Sequence, residues 1–259
     1  MFVNVIIFMI GLMLGSFLNV CIYRLPKGRS VISPRSACPG CGKAILWYDN
    51  IPVMSFIALG GKCRSCRAAI SWRYPAVEIL TALVILALFC AFGLTAKFFV
   101  YAVLSSLLIV ATFVDFEIYE IPDEISLGGL AVGFLLALMF PVIFGECSRA
   151  RALLGSLIGA AVGGGSIYLM GVFGEFVFKK EAMGGGDVKL MAMIGSMLGW
   201  KLIVVVFFIA PLFGSIVGLA LKFKDGRDII PYGPFLSLAT IVSIFWGERI
   251  LGLFTYRLY

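Results

Sequence analysis

Four cysteines and two aspartates carry most of the chemistry available to this chain. Cys38, Cys41, Cys63 and Cys66 form two Cys-x2-Cys pairs with 21 residues between them. Each short spacing turns two sulfurs toward one point, and four thiolates can enclose one Zn2+ tetrahedrally. Gly40, Gly42, Gly60 and Gly61 suit the tight turns around such an ion. With every ligand supplied by protein, the site is closed and structural. The rival pattern is two disulfides, which a reducing cytoplasm disfavours.

Asp115 ends an uncharged run that starts at Phe98, and it opens an acidic turn reaching Glu124. An ionisable group at the edge of hydrocarbon is a functional candidate. The plainer alternative is an interfacial acid that closes a helix, with Glu117, Glu120, Asp123 and Glu124 beside it. Asp123 is expected to cap the next helix. Asp187 follows the run Gly184-Gly185-Gly186 and enters an apolar stretch. A carboxylate there is costly unless paired or protonated. The glycines serve equally well as a hinge or a helix-packing surface.

The two aspartates are 72 residues apart in sequence. Brought together, they could not both ionise and would share a proton. One would then act as base on a water while the other, protonated, polarises a peptide carbonyl. The chain has no histidine. That excludes a Ser-His-Asp triad, a Cys-His pair and an H-E-x-x-H zinc protease. A Ser-Lys peptidase built on Lys189 is another reading, and it needs that amine deprotonated by burial.

These groups must be held by apolar elements. Of 259 residues, 61% are hydrophobic and 14% charged, whereas soluble domains are ~45–50% apolar and ~25% charged. At about 20 residues per span, this predicts an all-α polytopic membrane protein with about eight transmembrane helices. The expected division is a first transmembrane helix at 1–23, a small zinc-binding cytoplasmic domain at 24–75, and a membrane catalytic core of about seven helices at 76–259. Val188 to Trp200 is short for a span, and is expected to be tilted, re-entrant or continuous with its neighbours. Cys21 and Cys90 lie in apolar runs and read as small buried hydrophobes.

The formal charge is +7, and residues 24–75 hold nine basic residues with Asp49 as sole acid. A basic loop beside a membrane helix marks the cytoplasmic side and is drawn to anionic lipid. No base-reading motif accompanies it, so no nucleic-acid partner is expected. Lys179, Lys180, Lys189, Lys222, Lys224 and Arg227 extend the same side to fifteen basic residues, against six on the other.

In their order, the motifs resemble the type IV prepilin leader peptidase/N-methyltransferase family, GxGD-type aspartic peptidases. The blocks are Gly15-Ser16-Phe17-Leu18-Asn19-Val20, Arg24-Leu25-Pro26, the Cys38–Cys41 and Cys63–Cys66 pairs, and Arg73-Tyr74-Pro75 leading to Glu78. They continue with Asp115 through Asp123, Gly184 to Leu190, and Pro231-Tyr232-Gly233-Pro234. The resemblance implies that Asp115 and Asp187 are catalytic and that the four loop cysteines bind structural zinc. It implies cleavage of the short basic leader of type IV prepilins and pseudopilins at the cytoplasmic face of a bacterial inner membrane. It also implies methylation of the new N-terminus from S-adenosylmethionine, for which the residues offer no strand–glycine-turn–helix fingerprint. The other class kept open is a proton- or cation-coupled transporter with a zinc docking loop, against which stands the absence of an internal repeat.

Overall fold

The computed structural model describes residues 2–179, 183–225 and 231–255. Lys180, Arg227 and Arg257, which entered the charge count, lie outside the described residues. The chain divides into two compact units, Met1–Leu94 and Thr95–Tyr259.

In the first unit, α1 (Phe2–Arg24) packs along α3 (Arg73–Phe92), with a short helix α2 (Met54–Ala58) in the loop that joins them. Gly11 and Gly15 set the approach. A Cβ on either would come within 2.6 Å of the α3 backbone, at Ala82 and Glu78 respectively. This is the small-residue spacing that lets apolar helices gain van der Waals contact where lipid offers no hydrophobic drive. Polar groups fasten the same seam. Asn19 donates to the Tyr74 carbonyl at 3.0 Å. At the end of α1, the buried Arg24 guanidinium folds the chain back by donating to the carbonyls of Ser30 (2.8 Å) and Pro34 (2.6 Å). Cys21 is buried as expected, but Cys90 is exposed. It sits on the outer face of α3, where an apolar environment needs no protein cover.

The second unit is all helical among the described residues: α4 (Ala96–Ile118), α5 (Asp123–Met139), α6 (Arg149–Phe178), α7 (Gly185–Leu198), α8 (Trp200–Asp225) and α9 (Gly233–Thr255). Its centre is α7. Leu190, Met191, Met193 and Ile194 are fully buried, because α4, α5, α6, α8 and α9 all contact this helix. Glycines make that possible. Gly159 of α6 and Gly195 of α7 touch backbone to backbone, and Gly163 sits over the Met191 carbonyl. On α5, Gly129 faces Met193 and Gly133 faces Ser196.

Among the described residues, six helices (α1, α3, α4, α6, α8 and α9) are long and apolar enough to cross a membrane. With α5 at 17 residues and α7 at 14, they account for the eight apolar segments read from the sequence. The short segment Val188 to Trp200 resolves into α7 followed by α8. The two are parted at Gly199, whose φ of 78° needs a glycine.

Candidate active site and metal centre

Asp115 lies in the last turn of α4 and is 5% exposed. Its Oδ2 accepts a hydrogen bond from the Gly233 N–H at 3.0 Å. Gly233 is the first residue of α9, so this free amide is one that the helix itself cannot pair. A Cβ at Gly233 would stand 2.7 Å from that oxygen, so only glycine lets the backbone approach. After α4 the chain turns at Tyr119 (φ 56°) and sends Ile121 inward. Ile121 packs against both glycine motifs. The Cβ positions of Gly186 and Gly233 would lie 3.4 and 3.3 Å from its side chain.

Asp187 stands in the first turn of α7, half-buried. Gly184 precedes the helix in extended conformation (φ −73°, ψ 144°), and its backbone hydrogen-bonds the Asp187 carboxylate. A carboxylate here also meets the positive end of the helix dipole. Asp115 acts on Asp187 electrostatically, and Asp187 acts on Tyr232 in the same way. The two candidate aspartates are therefore gathered around Ile121 and the Tyr232-Gly233 turn. Sequence reasoning quoted that turn but gave it no role.

Two neighbours depart from expectation. Asp123 does not cap α5. Pro122 takes the N-cap position, while the Asp123 carboxylate holds the Lys189 ammonium at 2.6 Å. An ion pair to a partner on α7 outcompetes the local cap. The same contact bears on the Ser-Lys reading. Lys189 is half-exposed and engaged with a carboxylate, so it lacks the apolar burial that a lysine base requires.

In the loop of the first unit, the four cysteine Sγ atoms lie within 4.8 Å of one another, and those of Cys38 and Cys66 are 3.8 Å apart. A tetrahedron with Zn–S arms of ~2.3 Å has edges of about 3.8 Å, so the cluster fits that ion. Two matching knuckles build it. Cys38 N–H donates to Lys43 O and Gly42 N–H to Cys38 O. Likewise Cys63 N–H donates to Ala68 O and Arg67 N–H to Cys63 O. The residue after each second cysteine takes positive φ, Gly42 at 70° and Arg67 at 61°. Backbone N–H groups of Cys66 and Ser65 bear on the Cys63 sulfur and draw its thiol down to about 6, favouring the thiolate that binds metal. Apolar burial adds little to the loop, since Ile32 and Trp47 are largely exposed and the Trp72 ring, also exposed, meets Phe56 at 4.7 Å. Two polar contacts help. Asp49 accepts a forked pair of bonds from Arg64 at 2.7–3.1 Å. The buried Glu78 carboxylate of α3 accepts from the Val53 N–H at 2.8 Å, holding a non-glycine residue at φ 61°. Nothing in the sequence flagged that last pair.

A multi-helix membrane protein with two acids at helix ends beside one isoleucine and a four-cysteine knuckle is the class that fold and site define. Residues 9–92 match the Bacterial Peptidase A24 N-terminal domain, and residues 102–219 match the Type IV leader peptidase family. Curated relatives at 31–40% identity carry the name prepilin leader peptidase/N-methyltransferase. That of Myxococcus xanthus is 40% identical over 86% of this chain and 64% of its own length. That of Pseudomonas aeruginosa is 34% identical over 93% of this chain and 90% of its own. That of Bacillus subtilis is 33% identical over 96% of each. The chain belongs to the type IV leader peptidase family. No solved structure matches it. Nothing in these comparisons supports the transporter reading.

Proposed function

We propose that this protein is a membrane aspartic endopeptidase that removes the basic leader of type IV prepilins and pseudopilins at the cytoplasmic membrane face. What supports the reading is that Asp115, held by Gly233, and Asp187, next to Gly186, flank the same Ile121 side chain and lie within electrostatic range of one another, although they are remote in sequence. In this reading the two acids close to contact over the substrate and hold one proton between them. The ionised one accepts a proton from water as its oxygen attacks the scissile carbonyl. The protonated one donates to the carbonyl oxygen, and collapse of the tetrahedral intermediate expels the amine with a returned proton. The basic bias of the loop at residues 24–75 supports the cytoplasmic face.

Cys38, Cys41, Cys63 and Cys66 would hold a structural Zn2+ that fastens the loop. Methylation of the new N-terminus from S-adenosylmethionine rests on the names of the relatives. The test uses purified protein, a purified prepilin and labelled S-adenosylmethionine. Asp115→Asn and Asp187→Asn are each expected to abolish cleavage, while melting temperature and zinc content stay near wild type. Methyl transfer to a pre-cleaved substrate is expected to survive in both. Substantial cleavage by either variant overturns the reading.

A further inference from the structure

The Tyr232 hydroxyl is buried and has no hydrogen-bond partner among the described residues. Such a group is costly unless something pairs with it. Tyr232 lines a cavity of about 290 Å3 together with Met170, Met183, Pro211, Gly214, Ser215 and Phe235. That volume is near the lower bound for small-ligand sites, and the lining is chiefly apolar. The cavity is also tied to the two aspartates. Tyr232 lies within electrostatic range of Asp187, and the next residue, Gly233, donates to Asp115.

We propose that this cavity receives the first apolar side chain on the membrane side of the scissile bond, and that the Tyr232 hydroxyl donates to a main-chain carbonyl of the bound peptide. The proposal rests on the peptidase reading above and names the substrate contact that reading leaves open. A basic leader residue does not suit the cavity, because its charge would be desolvated among methionine, proline and phenylalanine, with Ser215 and Tyr232 as the polar side chains and no carboxylate among the described lining residues. The apolar segment after the cut does suit it. The outer faces of the lining helices expose Phe173 and Phe176 on α6 and Leu212 and Ile216 on α8, so a hydrophobic helix reaches the cavity through lipid without crossing water. Two methionines make the wall adaptable, which favours size selection over recognition of one shape.

Gly214 gives a clean test. A Cβ there would meet the rings of Tyr232 and Phe235 at 3.6 Å, ordinary contact that narrows the cavity without displacing a helix. Full-length protein in detergent is assayed on a prepilin series carrying Ala, Leu or Phe immediately after the cut. In Gly214→Ala, the ratio of kcat/KM for Phe over Ala substrate is expected to fall about tenfold or more. Met170→Ala, which enlarges the wall, is expected to hold or raise that ratio. Tyr232→Phe is expected to lower kcat/KM about tenfold on all three substrates, with a melting temperature equal to or above wild type. An unchanged ratio in Gly214→Ala overturns the proposal, as does a fall of the ratio in Met170→Ala or a shift confined to the KM for S-adenosylmethionine. Cleavage surviving in the Asp115→Asn or Asp187→Asn protein would instead remove the peptidase reading itself.

Discussion

The Gly233 amide donates to Asp115 Oδ2 at 3.0 Å, and no side chain at position 233 could share that space. The hydrogen bond stabilises the ionised carboxylate and fixes its rotation. Gly233→Ala is expected to push the carboxylate aside and reduce cleavage at least tenfold, with a loss in kcat larger than any rise in KM. A cleavage assay beside a thermal melt checks this, because the variant protein should still fold.

Lys189 is expected to be dispensable for chemistry. Half-exposed ion pairs contribute ~0–1 kcal/mol, so Lys189→Met should retain cleavage within a few-fold of wild type. Loss of turnover in a folded Lys189→Met protein would bring the Ser-Lys reading back.

The metal knuckle carries its own strain. Arg67 occupies a left-handed conformation that costs a non-glycine residue about 1–2 kcal/mol, where its counterpart is Gly42. Arg67→Gly is expected to slow zinc release to a chelator, and Cys38→Ser to speed it. Chelation of the wild-type protein should expose residues 30–72 to proteolysis and leave the second unit intact. Zinc release followed with a colorimetric chelator, and gel analysis of the digest, give the readouts.

Glu78 is expected to fasten the same loop from below. Glu78→Ala strands the Val53 N–H at a cost of about 1–3 kcal/mol, whereas Glu78→Gln keeps an acceptor. Protease cutting between residues 45 and 60 should rise in the first variant and stay near wild type in the second.

Acid should loosen the Asp49–Arg64 contact. The hydrogen bond from Arg64 holds the Asp49 carboxyl below its ordinary value. A group depressed on folding adds stability above its unfolded pKa, about 4, and loses it as pH falls through the folded one. The difference in loop protease resistance between wild type and Asp49→Asn should therefore be present at pH 6 and close below about pH 4.

What the sequence discloses and what it hides divide along physical lines. The apolar runs announce helices because lipid admits no other open backbone, and the paired Cys-x2-Cys spacing announces a four-sulfur cluster. Asp115 and Asp187 stand out as acids beside hydrocarbon, but their approach across 72 residues depends on how α4, α7 and α9 pack. The partners of Asp115 and Glu78 are main-chain amides of Gly233 and Val53, and an amide leaves no mark in a string of residue types. Asp123 shows the opposite error. Its local preference for capping was legible, and a contact from another helix overrode it.

The glycine seams around α7 have one more effect. A helix of 14 residues in ordinary lipid would have to thin the bilayer or tilt its flanks to match it. This one is jacketed by its own neighbours and answers to them alone, so the depth of Asp187 is set by protein, and swelling or shrinking of the surrounding leaflets should leave it where it is.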